Sequence, residues 1–132
     1  MSPNPSQAQR SEYLVLSRGQ WDRDASPEKI QAAIDAFYVW HDKLVAEGRL
    51  RTGQRLKPAG KTVSRGAVVD GPYAESKELV GGYWFILAAS LEEAARIAAE
   101  NPCLACGLSN EVRPIEPARG RADMVSCETP KA

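Results

Sequence analysis

The sequence predicts an α+β domain in which an antiparallel sheet carries its helices on one face. Three observations lead there. Strand and helix signals alternate along the 132 residues. Two capped amphipathic segments separate the strand runs, and the first and the most hydrophobic strands are apolar on both sides, so each needs cover twice. The length suits one domain with a modest core.

Tyr13, Leu14, Val15 and Leu16 form a continuous apolar run closed by Ser17, Arg18 and Gly19, which reads as a strand. Ser26 then offers an N-cap hydroxyl, Pro27 takes the first helical position and Glu28 complements the positive end of the helix dipole. Ile30, Ile34, Phe37, His41 and Leu44 recur at spacings of three and four, so they share one face of a helix that stops at Gly48. Residues 50–56 and 63–69 are strand candidates, and Lys57, Pro58, Ala59 and Gly60 between them predict that the two pair as a hairpin. Residues 83–88 make the most hydrophobic strand, with Tyr83, Phe85 and Leu87 on one face and Trp84, Ile86 and Ala88 on the other. Ser90 and Glu93 form a capping box for a second helix with a small-residue face of Leu91, Ala94, Ala95 and Ala98, ended by Asn101-Pro102. Residues 112–115 supply a last strand, in which Pro114 either limits the pairing or sets the strand at an edge.

Without the extra hairpin strand this order is βαββαβ, the ferredoxin-like arrangement. Both helices then cover one sheet face and leave the other bare, although it is apolar. A second copy of the chain is the expected cover, since closed two-fold dimers dominate homo-oligomers. Two sheets face to face would enclose a pocket, giving a dimeric α+β barrel. Residues 1–10 and 118–132 lack apolar periodicity and read as flexible tails around a domain of residues 11–117.

Lys and Arg together number 17, as do Asp and Glu, with no basic stripe and no block of like charge. Nucleic acid and anionic membrane are therefore excluded as expected partners. No run approaches the roughly 18 apolar residues of a membrane span, and the three cysteines do not form a secreted disulfide framework, so a soluble cytoplasmic protein is expected.

His41 is the one imidazole in the chain and sits on the apolar face of the first helix. It reads either as a pocket general base or as a core histidine with both nitrogens satisfied. Asp70, Gly71, Pro72 and Tyr73 form a turn in which Asp caps, Gly supplies an unusual backbone angle and Pro fixes the exit. Asp70, Tyr73, Glu75 and Lys77 are candidates to line a pocket mouth and hold a polar ligand, with a solvated charged surface as the alternative. Tyr83 is a candidate polar contact on the strand that follows. Cys103 and Cys106 make a lone CxxC, which lacks the two further ligands of a zinc site and reads as two small buried thiols. Gly81-Gly82 enters a strand rather than opening a helix, so there is no phosphate loop. No cofactor and no metal are expected.

The stretch Asp70-Gly71-Pro72-Tyr73-Ala74-Glu75-Ser76-Lys77-Glu78, followed by Gly81, Gly82 and Tyr83, resembles the signature of the DGPF-type subgroup of YCII-related proteins, with Tyr73 for the usual Phe and Ser76 for the usual Thr. Residues 46–50, Asn101-Pro102 and residues 111–115 extend the resemblance. It implies a dimeric α+β barrel of ferredoxin-like subunits, a small organic ligand and, in some members, a cofactor-independent lyase, isomerase or dehalogenase-like reaction. It also implies an alternative, a non-catalytic accessory or sensing protein linked to extracytoplasmic-function sigma factors. Some YCII-related proteins carry a proposed catalytic His on the first helix and an Asp after the second. Those positions fall here on Phe37 and Asn101, and neither side chain serves as a base. His41 lies one turn further along the same stripe.

Overall fold

A computed structural model describes residues 10–72 and 79–131. The six strands are β1 (Ser11–Arg18), β2 (Leu50–Arg55), β3 (Lys61–Ser64), β4 (Ala67–Asp70), β5 (Val80–Ala88) and β6 (Ser109–Pro114). Helix α1 (Pro27–Ala46) follows β1, helix α2 (Leu91–Ala98) follows β5, and a 3-10 turn (Pro102–Cys106) leads into β6. The main sheet runs β2-β5-β1-β6 and every pair in it is antiparallel, which is the ferredoxin-like order. Pro114 ends the edge strand β6, where its missing N–H costs no ladder bond.

The capping signals act as the sequence predicts. The Ser26 hydroxyl accepts from the Lys29 amide and the Ser90 hydroxyl from the Glu93 amide, each at 3.1 Å. Gly48, at φ +74°, closes α1: its N–H donates to the Val45 carbonyl and the Arg49 N–H to that of Leu44, the paired bonds of a Schellman motif.

Register decides which side chains share a face. Leu50, Ile86, Tyr13 and Pro114 form one row across the four strands, and Trp84, Val15 and Val112 form the next across three of them. These rows meet Leu44 of α1 and Ala94, Ile97 and Ala98 of α2 to make the core. Ile86 and Val15 are wholly buried, each contributing roughly 1.5–3 kcal/mol by removal from water. The buried face of α2 thus contains Ile97, while Ala95 and Leu91 are exposed, a one-position rotation from the expected stripe. On the opposite sheet face Leu14, Leu16, Tyr83, Phe85 and Leu87 are half-buried. Arg51 lies over the Phe85 ring at 5.0 Å and pairs with Glu12 there.

The expected hairpin is corrected in its membership. β2 pairs with β5, and the 63–69 stretch does not form one strand. It turns at Arg65 and Gly66, so that β3 and β4 pair with each other as a separate two-stranded sheet. Gly66 has φ +71°, which suits a two-residue hairpin loop better than a strand interior. Val63 and Val68, opposite each other, remain 73% and 67% exposed. Past β6 the chain makes local turns, and Arg113 Nη2 donates to Cys127 Sγ at 2.9 Å. Among the described residues no helix is long and apolar enough to cross a membrane.

Candidate functional site

Below the Trp84 row, the helix-facing side of the sheet runs out of side-chain volume. The next row across the four strands is Arg55, Gly82, Ser17 and Asn110. Its two central members carry a hydrogen and a hydroxymethyl group, so α1 has little to rest on at that level. A cleft of about 960 Å³ opens there, within the usual size range of small-molecule sites. Its floor is Ser17, Gly82, Thr52 and Gly53, its roof Ile34, Phe37, Tyr38 and His41 of α1, and its rim includes Trp21 and Arg55. The floor strands lie very close together. A Cβ added to Gly53 would come within 2.6 Å of the Tyr83 carbonyl carbon, and one added to Gly82 within 2.9 Å of the Gln54 carbonyl oxygen.

His41 lines this cleft and is 7% exposed. Its Nδ1 lies 3.0 Å from Asp42 Oδ1. A carboxylate only accepts, so Nδ1 carries the proton and, in the neutral ring, Nε2 presents its lone pair. Nε2 has no hydrogen-bond partner among the described residues. Asp42 is 75% exposed in its side chain, so water screens its charge and its main effect is to fix the tautomer. Phe37 packs beside the imidazole at 5.5 Å between centroids and against Trp84 at 6.2 Å, which sets one aromatic wall.

Asn101 and Cys103 line the far end of the cleft. The Asn101 amide is fully committed to structure: its Oδ1 accepts from the Cys103 N–H at 2.9 Å, capping the 3-10 turn, and its Nδ2 donates to Asn110 Oδ1 at 2.9 Å. Cys103 and Cys106 are both buried and free, and Cys103 Sγ donates to the Ala33 carbonyl at 3.7 Å. Burial, with a smaller effect from Cys106, pushes the Cys103 thiol above its ordinary pKa, which keeps it protonated and unreactive near neutral pH.

Of the other candidates, Asp70 lies outside this cleft. Asp70 ends β4 with its side chain 92% exposed and accepts from Lys61 Nζ at 2.5 Å, closing the β3–β4 hairpin away from the cleft lining. Gly71, at φ +88°, donates its N–H to the Gly60 carbonyl at 2.6 Å, and Thr62 donates to the Gly71 carbonyl at 3.0 Å. Asp70 and Gly71 therefore tie the hairpin off. Tyr73, Glu75 and Lys77 lie outside the described residues. The Tyr83 ring sits on the opposite sheet face, edge-on to Phe85 at 5.9 Å, and Tyr83 is also among the residues that line the cleft. The sequence reading placed a pocket between two sheets, whereas this cleft lies between α1 and the sheet of one chain. Trp84 and Arg55 line the cleft without having been singled out for it, and Phe37 entered only as the position at which the resemblance puts a histidine. Trp84 had a signal, since strand alternation sets it opposite Tyr83. Arg55 had none, because its face depends on register with β5.

No curated protein matches the chain. Among solved structures, the 5-chloro-2-hydroxyhydroquinone dehydrochlorinase TftG from Burkholderia phenoliruptrix AC1100, in complex with 2,5-dihydroxybenzoquinone, is similar at 17% identity and a TM-score of 0.47, over 80% of this chain and 93% of that one. The sequence pattern of the YCII-related domain matches residues 12–118, nearly all of the sheet, both helices and the cleft between them, and the chain belongs to the YCII-related family.

Proposed function

We propose that the cleft binds a small organic molecule and that His41 Nε2 accepts a proton from it, in a cofactor-independent reaction of the lyase or isomerase type. One observation carries this reading. A buried imidazole has one nitrogen held by a carboxylate and leaves the other unpartnered in a cleft of ligand size. A histidine that served packing alone would have both nitrogens satisfied.

The working unit in this proposal is a homodimer of DGPF-type subunits. The half-buried stripe of Leu14, Leu16, Tyr83, Phe85 and Leu87 supports it, because an apolar sheet face bordered by the Arg51–Glu12 and Arg18–Glu111 pairs suits a self-complementary contact. Light scattering tests this directly, and a monomer at micromolar concentration refutes it. The buried free thiols of Cys103 and Cys106 accord with a reducing, cytoplasmic setting.

The test of proton transfer combines binding with exchange. Ligands found by thermal shift are incubated in deuterated water with the wild type and with His41→Gln, and incorporation at an acidic C–H is followed by NMR. Exchange should fall by about 100-fold or more in the variant while thermal stabilisation by ligand persists, in line with the usual contribution of a positioned base. Equal exchange in both proteins refutes the role of His41. Ligand binding without exchange or turnover in the wild type favours the accessory reading linked to sigma-factor regulation.

A further inference from the structure

The cleft carries a charge bias that the chain as a whole lacks. Acidic and basic residues balance across the sequence. Among the described residues lining the cleft, however, there is no Asp or Glu, and Arg55 is the one permanently charged side chain. The sheet register accounts for its position. Arg55 shares a row with Gly82 and Ser17, so it projects on the helix side over a stretch of floor that offers no side chain to cover it. Neighbouring arginines are occupied: Arg18 pairs with Glu111 and Arg51 with Glu12. Arg55 has no ion pair or side-chain hydrogen bond with any described residue, and the polar groups of the described lining include the neutral Gln20, Gln31, Thr52 and Gln54.

A guanidinium is a planar fork of donors whose best small partner is a carboxylate held by two parallel bonds. The lining also holds the apolar Ile34 and Phe37 of α1 and, on the sheet itself, the indole of Trp84 in the row next to that of Arg55, surfaces suited to a flat hydrocarbon or aromatic body. Resting on the reading of the cleft as a ligand site, we propose that its ligand is a small planar carboxylate, with the anion on Arg55 and the apolar body against Phe37 and Trp84. This arrangement leaves His41 Nε2 to the part of the molecule that reacts, and Arg55 is then a binding residue and not a catalytic one. Among the described residues the lining holds no acid, which gives the selectivity its second half: a cationic ligand would meet Arg55 with no described carboxylate to pair with.

The test uses matched acid and amide pairs: benzoate with benzamide, 4-hydroxybenzoate with 4-hydroxybenzamide, and crotonate with crotonamide. Binding to the full chain is measured by calorimetry and by tryptophan fluorescence, which Trp21 and Trp84 report from the lining itself. The proteins are wild type, Arg55→Gln, Arg55→Lys and, as a surface control, Arg96→Gln on the exposed side of α2. For at least one pair the acid should bind wild type about 10-fold or more tightly than its amide, the usual scale of a charge-assisted hydrogen bond. The preference should be unchanged in Arg96→Gln, reduced in Arg55→Lys and lost in Arg55→Gln. Equal binding of acid and amide to wild type overturns the carboxylate inference and leaves the cleft as a ligand site. A preference that survives Arg55→Gln overturns the assignment to Arg55. Absence of binding by every acid and every amide overturns the ligand-site reading and this inference with it.

Discussion

The floor of the cleft depends on two strands approaching more closely than a side chain allows, and a pair of glycine substitutions measures this. Replacing Gly by Ala at a compatible site stabilises a protein by about 0.4–1 kcal/mol, because the unfolded chain loses freedom. Gly81 is such a site, since an added Cβ there meets nothing within 4 Å. Gly81→Ala should therefore raise Tm by about 2–4 °C, at about 4 °C per kcal/mol for a domain of this length. The same term applies at Gly53, but there the added Cβ lies 2.6 Å from the Tyr83 carbonyl carbon, and ordinary contact begins at 3.4 Å. β2 and β5 must part by at least about 0.8 Å on those two distances, and by more because the Tyr83 carbonyl oxygen lies closer still. Backbone of a paired strand has no rotamer with which to yield. The ladder around the site stretches, including the 2.9 Å bond from the Leu56 N–H to the Gly81 carbonyl. Two weakened cross-strand bonds at about 1 kcal/mol each, with about 1–3 kcal/mol of packing strain and less the entropic gain, leave a net loss of about 2–4 kcal/mol. Gly53→Ala should thus lower Tm by about 8–16 °C, read from thermal and urea unfolding of both variants beside the wild type. Gly53→Ala within about 0.5 kcal/mol of wild type, or equal losses at both glycines, would show that the two strands do not approach in this way.

Ile86 is wholly buried at the centre of the core, so Ile86→Ala should cost about 2–5 kcal/mol in urea unfolding; a loss under about 1 kcal/mol would contradict that burial. The raised pKa of Cys103 sets a pH dependence whose sign is fixed by which state holds the proton. Above the ordinary value of 9.0 the unfolded chain loses the thiol proton first, so stability is whole below that pH and falls as pH climbs from there through the raised value. The stability advantage of wild type over Cys103→Ala should shrink only above about pH 9, and a difference independent of pH refutes the cause given. Asn101→Asp keeps the acceptor for the Cys103 N–H but sets a carboxylate against Asn110 Oδ1 in place of a donor. It should cost about 1–3 kcal/mol at pH 7 by equilibrium unfolding, and stability equal to wild type would mean that the Asn101–Asn110 bond is not made.

The parts of the fold that were legible in the sequence are those set by neighbours within one element. Ser26 and Pro27 start α1, Gly48 stops it, and the alternation through residues 83–88 correctly divides Trp84, Ile86 and Ala88 from Tyr83, Phe85 and Leu87. What depends on pairing between distant elements was not legible. The Lys57 to Gly60 segment carries strong turn residues, yet β2 goes to β5, whose continuous apolar run offers more cross-strand contact than the polar 61–70 stretch. The cleft is invisible for the same reason. Gly82 enters a strand like any backbone glycine, and Ser17 closes an apolar run like any polar stop. They become a floor only when register sets them side by side with Arg55.

Phe37 and Asn101 show why a missing catalytic pair does not empty the site. Both line the cleft, each in a different structural role. Phe37 is a wall, in ring contact with His41 and Trp84. Asn101 spends both ends of its amide on the 3-10 turn and β6, a bridge that a carboxylate would break on the Asn110 side. The proposed proton transfer draws instead on another imidazole and carboxylate, His41 and Asp42, which stand as adjacent residues one turn along α1. In His41 and Asp42 the carboxylate reaches Nδ1 from the solvent side, so it adds no negative charge to the described lining of the cleft. A carboxylate at position 101 would instead project that charge inward, toward the space Arg55 keeps positive. The proposed base and the proposed carboxylate ligand are therefore mutually consistent: a His41 oriented by Asp42 from outside lets an anion approach Arg55.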